Sequence, residues 1–365
     1  MKKLTFVFGI LLILTMVLSA CSPQQVATEV VEAVEETVEE VEATEEVEVV
    51  EETEVRVPAI ALVPAGQVST EGFMMLAGNG YKKAAEDFGF PPVILESMVA
   101  EEWERNVRTA SQDGAELVIG IGSTMEDAVK NVAPEFPDTK YVLVDSYTGE
   151  PNVMGLISQE QEGTFLAGIV AAHMTTKTDV KGINDAKVIG FVGGMDVPVI
   201  HRFLSGLQQG AAYVDPEVKV EVAYVGSFAD PAKAKELALQ LIENQGADIV
   251  FSVAGSYGDA GVFEAVIEKG VYGIGSDINW DVVHPGYIIT SVLKHTDVAV
   301  YDAIERYLNG QFEAGEVKYG VASGVMDLTD MSTIGDLVPQ EVKDAVLQAK
   351  QDIKDGKIVV ERPTQ

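Results

Sequence analysis

The chain of 365 residues holds a single cysteine, Cys21. One thiol can close no intramolecular disulfide and build no thiolate metal cluster. Basic residues are also scarce: 25 Lys and Arg stand against 58 Asp and Glu, a formal charge of −33. Phosphate backbones are bound by clustered Lys and Arg, so this composition argues against nucleic-acid binding. Long apolar runs are missing too. The stretch from Leu4 to Leu18 is about 15 residues, shorter than the roughly 20 that a membrane-spanning helix needs. The four histidines, His173, His201, His284 and His295, include no pair at helical metal-ligand spacing. Neither a Gly-x-Ser-x-Gly elbow, a Gly-Lys-Ser/Thr phosphate loop nor a full Gly-x-Gly-x-x-Gly after the first strand occurs. An enzyme therefore has no candidate machinery, and no metal or cofactor is expected.

What is present begins with Lys2 and Lys3, the apolar run, and then Leu18-Ser19-Ala20-Cys21. This order reads as a secretion signal over 1–20. The small residues before Cys21 resemble a bacterial lipobox, which implies cleavage and acylation of Cys21. Residues 21–56 are dominated by Val, Glu, Ala and Thr, with 13 glutamates between Glu29 and Glu54. Like charges at that density repel, and the dispersed valines cannot form a core, so the segment reads as an acidic tether.

From 57 to 362 about 300 residues remain, enough for two lobes. Short apolar runs near 60–63, 92–95, 117–120, 141–144, 188–192, 218–225, 249–253 and 288–293 predict strands. Amphipathic stretches near 78–89, 100–113, 125–136, 162–174, 201–213, 231–245, 257–268 and 297–308 predict helices. The alternation indicates an α/β fold of two doubly wound parallel-sheet lobes. In such sheets ligands sit beyond the carboxyl ends of the strands. The residues that follow the apolar runs are thereby candidates, among them Gly122-Ser123-Thr124, Asp145, Gly193-Gly194, Gly226-Ser227-Phe228, Gly255, Asp277 and Lys294.

Glu162-Gly163-Thr164-Phe165-Leu166-Ala167-Gly168, Gly190-Phe191-Val192-Gly193-Gly194-Met195-Asp196, Tyr224-Val225-Gly226-Ser227-Phe228-Ala229-Asp230-Pro231 and Ser291-Val292-Leu293-Lys294 occur in collinear order. On these stretches the chain resembles the basic membrane protein family of ABC-transporter lipoproteins, which includes purine nucleoside receptors. The resemblance implies a type I periplasmic-binding-protein fold with three crossovers. One lobe would comprise 57–156 plus 295–316 and the other 157–294 plus 317–362. It further implies that Phe228 stacks on the base, that Asp145, Asp277 and Lys294 make polar contacts, and that Gly255 gives backbone access.

Departures from the family pattern accompany these matches. In Thr70-Glu71-Gly72-Phe73-Met74, Phe73 is kept, but Thr70 and Met74 stand where an aspartate and an asparagine are usual. An aromatic is also usual near Gly78, and its neighbours Ala77 and Asn79 are not aromatic. Asn279 and Trp280 replace an aspartate and a glutamine, and Trp280 is either a second aromatic wall or a packed side chain. The resemblance implies an extracytoplasmic, lipid-anchored solute-binding protein that delivers a small polar ligand, a purine nucleoside first, to ABC permease subunits. A sugar-like compound, a free base, or a ligand-sensing co-receptor role are the alternatives.

Overall fold

The computed structural model describes residues 57–69 and 72–363. The expected signal, the tether, Cys21 and Thr70 lie outside the described residues. The chain runs β1 (Ile60–Pro64), α1 (Phe73–Phe88), β2 (Val93–Ile94), α2 (Ala100–Gln112), β3 (Leu117–Ile121), α3 (Glu126–Val132), β4 (Lys140–Val144) and β5 (Val153–Ser158). It continues through α4 (Glu160–Thr175), β6 (Val188–Gly193), α5 (Pro198–Val214), β7 (Lys219–Tyr224), α6 (Pro231–Gln245), β8 (Ala247–Val253), α7 (Gly255–Lys269), β9 (Tyr272–Asp277) and β10 (Ile288–Lys294). The last elements are α8 (Thr296–Leu308), β11 (Gly315–Tyr319), β12 (Met326–Leu328) and α9 (Gln340–Lys354).

Two six-stranded sheets result, with orders β2-β1-β3-β4-β5-β11 and β7-β6-β8-β9-β10-β12. The same winding is thus used twice. All pairs are parallel except β10 with β12. Inner strands such as β3, β5 and β8 are buried along their whole length, as strands covered on both faces must be. In the first sheet Leu62, Ile119 and Val142 feed the core on one face, and Ala61, Val118 and Leu143 the core on the other. The edge strands β7 and β11 instead carry Lys219, Glu221, Glu316 and Lys318, charges that discourage pairing with another chain.

The chain passes between the sheets three times: after Ser158, after Lys294 and after Tyr319. The expected lobe cuts at 156/157 and 316/317 fall inside β5 and β11. Helix α6 occupies the expected 231–245. Its start is fixed by Pro231 and by the Asp230 carboxylate, which accepts from the Lys233 N–H, and its end by left-handed Gly246. Four strands, β5, β9, β11 and β12, were not among the expected elements, nor was α9.

Helix α4 is buried almost all round, because α5 and α9 cover what the second sheet does not. The approach of α4 to α5 depends on glycine. A methyl on Gly210 would lie 2.0 Å from the Phe165 carbonyl oxygen, and one on Gly168 would lie 2.5 Å from that of Leu207. We expect Gly210→Ala to lower unfolding free energy by about 1–3 kcal/mol, as overpacking does, measured by denaturant titration; an unchanged midpoint would show that the helices can separate freely.

Candidate functional site

The carboxyl ends of β1, β3 and β4 in one sheet and of β6 to β10 in the other converge on a cleft of about 300 Å³. Strand order reverses between β1 and β3 and again between β6 and β8, and crevices at such switch points are where open α/β sheets bind ligands. Gly66 and Gly122 line the cleft at the first switch point, Met195 and Gly255 at the second.

The floor of the cleft is ionic. Lys294, at the end of β10 and 2% exposed, donates to both carboxylate oxygens of Asp145 at 2.7 Å and to Glu160 Oε1 at 2.9 Å. These three bonds engage all the donors of the ammonium. Asp145 belongs to the first lobe and Lys294 to the second, so the pair spans the lobes. Glu160 opens α4, just past the first crossover, and accepts from Arg202 Nε at 2.5 Å. The ammonium also sits 4.9 Å from the ring centre of Phe73 and 5.8 Å from that of Phe203, one ring from each lobe. Burial opposes the charge of Lys294, but Asp145, Glu160 and Asp277 outweigh it and hold its pKa above the usual lysine range. Burial likewise opposes ionisation of Glu160, and Arg202 with Lys294 overcomes it and lowers the pKa.

Asp277 is different. It ends β9 with φ 66°, matching Asp145 with φ 71° beyond β4. Aspartate is among the few residues that enter this left-handed region readily. The Asp277 carboxylate lines the cleft and has no hydrogen-bond partner among the described residues. Burial, with Asp145 and Glu160 nearby and Lys294 opposing, pushes its pKa up to about 6.

Phe228 presents a half-buried ring to the cleft from the loop after β7. Its position depends on two missing side chains. A methyl on Gly194 would lie 2.2 Å from Phe228 Cδ1, and one on Gly255 would lie 2.8 Å from the Phe228 carbonyl oxygen. Gly255 also has φ 73°, so a side chain there would be strained as well as crowded.

A family model described as "ABC transporter substrate-binding protein PnrA-like" matches residues 57–362. The chain belongs to this family. Among curated relatives, the ABC transporter nucleoside-binding protein BmpA of Lactococcus lactis is 33% identical over 73% of this chain and 77% of its own. Basic membrane protein A1 of Borrelia garinii is 31% identical over 74% of this chain and 79% of its own. A crystal structure of ABC transporter solute-binding proteins from Aeropyrum pernix superposes with a TM-score of 0.75 at 28% identity, covering 85% of this chain and 94% of that one. The fold is the two-lobed type I periplasmic-binding-protein fold, and the protein is a substrate-binding protein of an ABC system.

Of the residues expected at this family's site, the structure brings Phe73, Ser123, Asp145, Phe228, Gly255, Asp277 and Lys294 to one cleft. Trp280 is not there. It is 5% exposed, in the core behind the second sheet, with Phe263 edge-on at 5.2 Å and its indole N–H donating to the Ser276 carbonyl at 3.0 Å. Gly275 admits it, since a methyl there would lie 2.5 Å from Trp280 Cδ1. The expectation that Trp280 forms a second aromatic wall is therefore corrected: the ring serves packing. Gly255 leaves room for Phe228 as well as for a ligand. The residues missed were Glu160, Arg202, Phe203, Trp103 and Met98. Arg202 carried a readable signal, being the one Lys or Arg of a largely apolar helix, whereas Glu160 lies in the Glu-Gln-Glu opening turn of α4, where acidic residues are ordinary.

Two outcomes are expected from the electrostatics. Lys294→Met would leave Asp145 and Glu160 short of their shared cation and should cost about 3–5 kcal/mol of stability; a loss below about 1 kcal/mol in denaturant unfolding would contradict the cluster. Asp277→Asn should raise the stability of the unliganded protein at pH 7.5 by roughly 1–3 kcal/mol. A carboxyl with a raised pKa favours folding below its folded value and loses that contribution as pH rises through it. The gain from Asn should therefore shrink as pH falls from 6 toward 4, and a gain independent of pH would point to another cause.

Proposed function

We propose that this substrate-binding protein captures nucleosides outside the membrane and presents them to an ABC permease, tethered by acyl groups on Cys21. The observation that carries the reading is a half-buried carboxylate, Asp277, with no hydrogen-bond partner among the described residues, in the same cleft as the half-buried ring of Phe228. A carboxylate without a donor suits vicinal hydroxyls, which are donors, and an aromatic face suits a planar base. A bare sugar fits less well, because Phe73, Met74, Phe203 and Phe228 would face hydroxyls that find few partners there. The name of the Lactococcus relative supports the same ligand class.

In this reading Lys294 and Asp145 form the floor against which the ligand rests, since the donors of Lys294 are already engaged. The lobes exchange between open and closed arrangements about the three crossovers. A ligand that touches both shifts the population toward closure, and the permease recognises the closed pair. Stable membrane attachment takes more than one acyl chain.

A thermal-shift and calorimetric screen of nucleosides, bases and pentoses tests this. A nucleoside at 100 times its dissociation constant should add about 2.7 kcal/mol of stability, and Phe228→Ala should remove the effect. Affinity should hold above pH 6 and fall about tenfold per unit below it as Asp277 protonates. Binding of pentoses with none of nucleosides would overturn the reading.

A further inference from the structure

Beneath the cleft lies a carboxylate that the reading above does not use. Asp259, one turn into α7, is 1% exposed and is not among the residues that line the cleft. Its Oδ1 accepts from the Ser252 hydroxyl at 2.5 Å and from the Ala254 N–H at 2.8 Å, and its Oδ2 lies 3.5 Å from the Ser276 hydroxyl. Ser252 is in β8, Ala254 precedes α7 and Ser276 is in β9, so one side chain joins three segments. All three groups can donate, which suits an acceptor-only carboxylate. Unlike Asp145 and Glu160, Asp259 pairs with no Lys, Arg or His among the described residues. Burial, with the charge of Asp277, pushes its pKa up to about 7.

Two of these segments lead directly into the site. Gly255 follows Ala254 and Asp277 follows Ser276, and both have positive φ, 73° and 66°. A residue other than glycine is uncommon in that region and stays there when its surroundings hold it. Ser276 is also gripped through its backbone: its carbonyl accepts from the Ile278 N–H at 2.8 Å and from the Trp280 indole at 3.0 Å. The chain from which Asp277 reaches the cleft is thus pinned by Trp280 at the carbonyl and by Asp259 at the hydroxyl. Burying a carboxylate without a cation costs stability, whereas the placement of Gly255 and Asp277 serves the cleft.

We propose that Asp259 is a positioning residue for ligand capture: it touches no ligand, but by joining Ser252, Ala254 and Ser276 it sets the conformation from which Asp277 meets one. This rests on the role given to Asp277 above.

The test uses the full chain titrated with adenosine by calorimetry. Asp259→Asn keeps an oxygen for Ser252 and Ala254 and offers an N–H to the Ser276 hydroxyl, so it should bind nearly as tightly as the unaltered chain. Asp259→Leu keeps the bulk without the bonds and should weaken adenosine about 10- to 100-fold, the range for misplacing one hydrogen bond to a charged group. In an Asp277→Asn background the same change should cost no more than about twofold, because the two residues act as one unit. Additive losses, or full affinity in Asp259→Leu, would overturn the proposal. Should the Leu variant fail to fold, Ser276→Ala removes one arm of the bracket and should weaken adenosine about 3- to 10-fold; full affinity there would be as damaging. If the unaltered chain binds no adenosine, guanosine, inosine or uridine, the nucleoside reading falls and the free protein decides the positioning role by carbon-detected NMR. The Asp277 titration near pH 6 should then stay in place in Asp259→Asn and move toward the ordinary aspartate range in Ser276→Ala, and identical titrations in both would contradict it.

Discussion

A single buried ammonium organises the cleft. Lys294 ends a strand of one lobe, Asp145 follows a strand of the other, and Glu160 lies just past the first crossover. An ion pair this deep gains little net stability over an apolar substitute, but removing one partner is costly because the other charges remain buried. Its value is geometric: it fixes where two sheets converge. With Arg202 on Glu160, two cations balance two carboxylates, and the third carboxylate, Asp277, is left over. A buried charge without a donor is unfavourable in the empty protein and favourable once a ligand supplies one. Such an arrangement converts part of the cost of folding into affinity.

The apolar side of the site depends on absences of side chains. Phe228 reaches the cleft because Gly194 and Gly255 leave room for its ring and its carbonyl, and α4 and α5 lie close because Gly206 and Gly210 let backbones touch. Arg202 sits on α5 and Glu160 on α4. The glycine-mediated contact between these helices thus also sets the ion pair that supports the floor, and packing and electrostatics are coupled through one helix pair.

Much of this was legible beforehand. The double winding followed from the alternation of apolar runs and amphipathic stretches, and the carboxyl-end rule selected Asp145, Phe228, Asp277 and Lys294 without any contact information. The strands that escaped notice had physical reasons to do so. Tyr272–Asp277 is diluted by two glycines, and Gly315–Tyr319 is a charged edge. Helix α9 was readable, with Val342, Val346, Ala349 and Ile353 on one face. Trp280 was ambiguous because a large aromatic near a strand end suits either a cleft or a core. The space opposite Gly275 decides for the core, and space is a tertiary property.

The central claim is that Asp277 is the carboxylate held without a partner until a ligand arrives. Carbon-detected NMR titration of its side chain, in the free protein and with nucleoside bound, tests it most directly. A free-state pKa of about 6 that drops on binding is the expected result, because donated hydrogen bonds favour the ionised form. An ordinary aspartate value near 3.8 in both states would contradict the account.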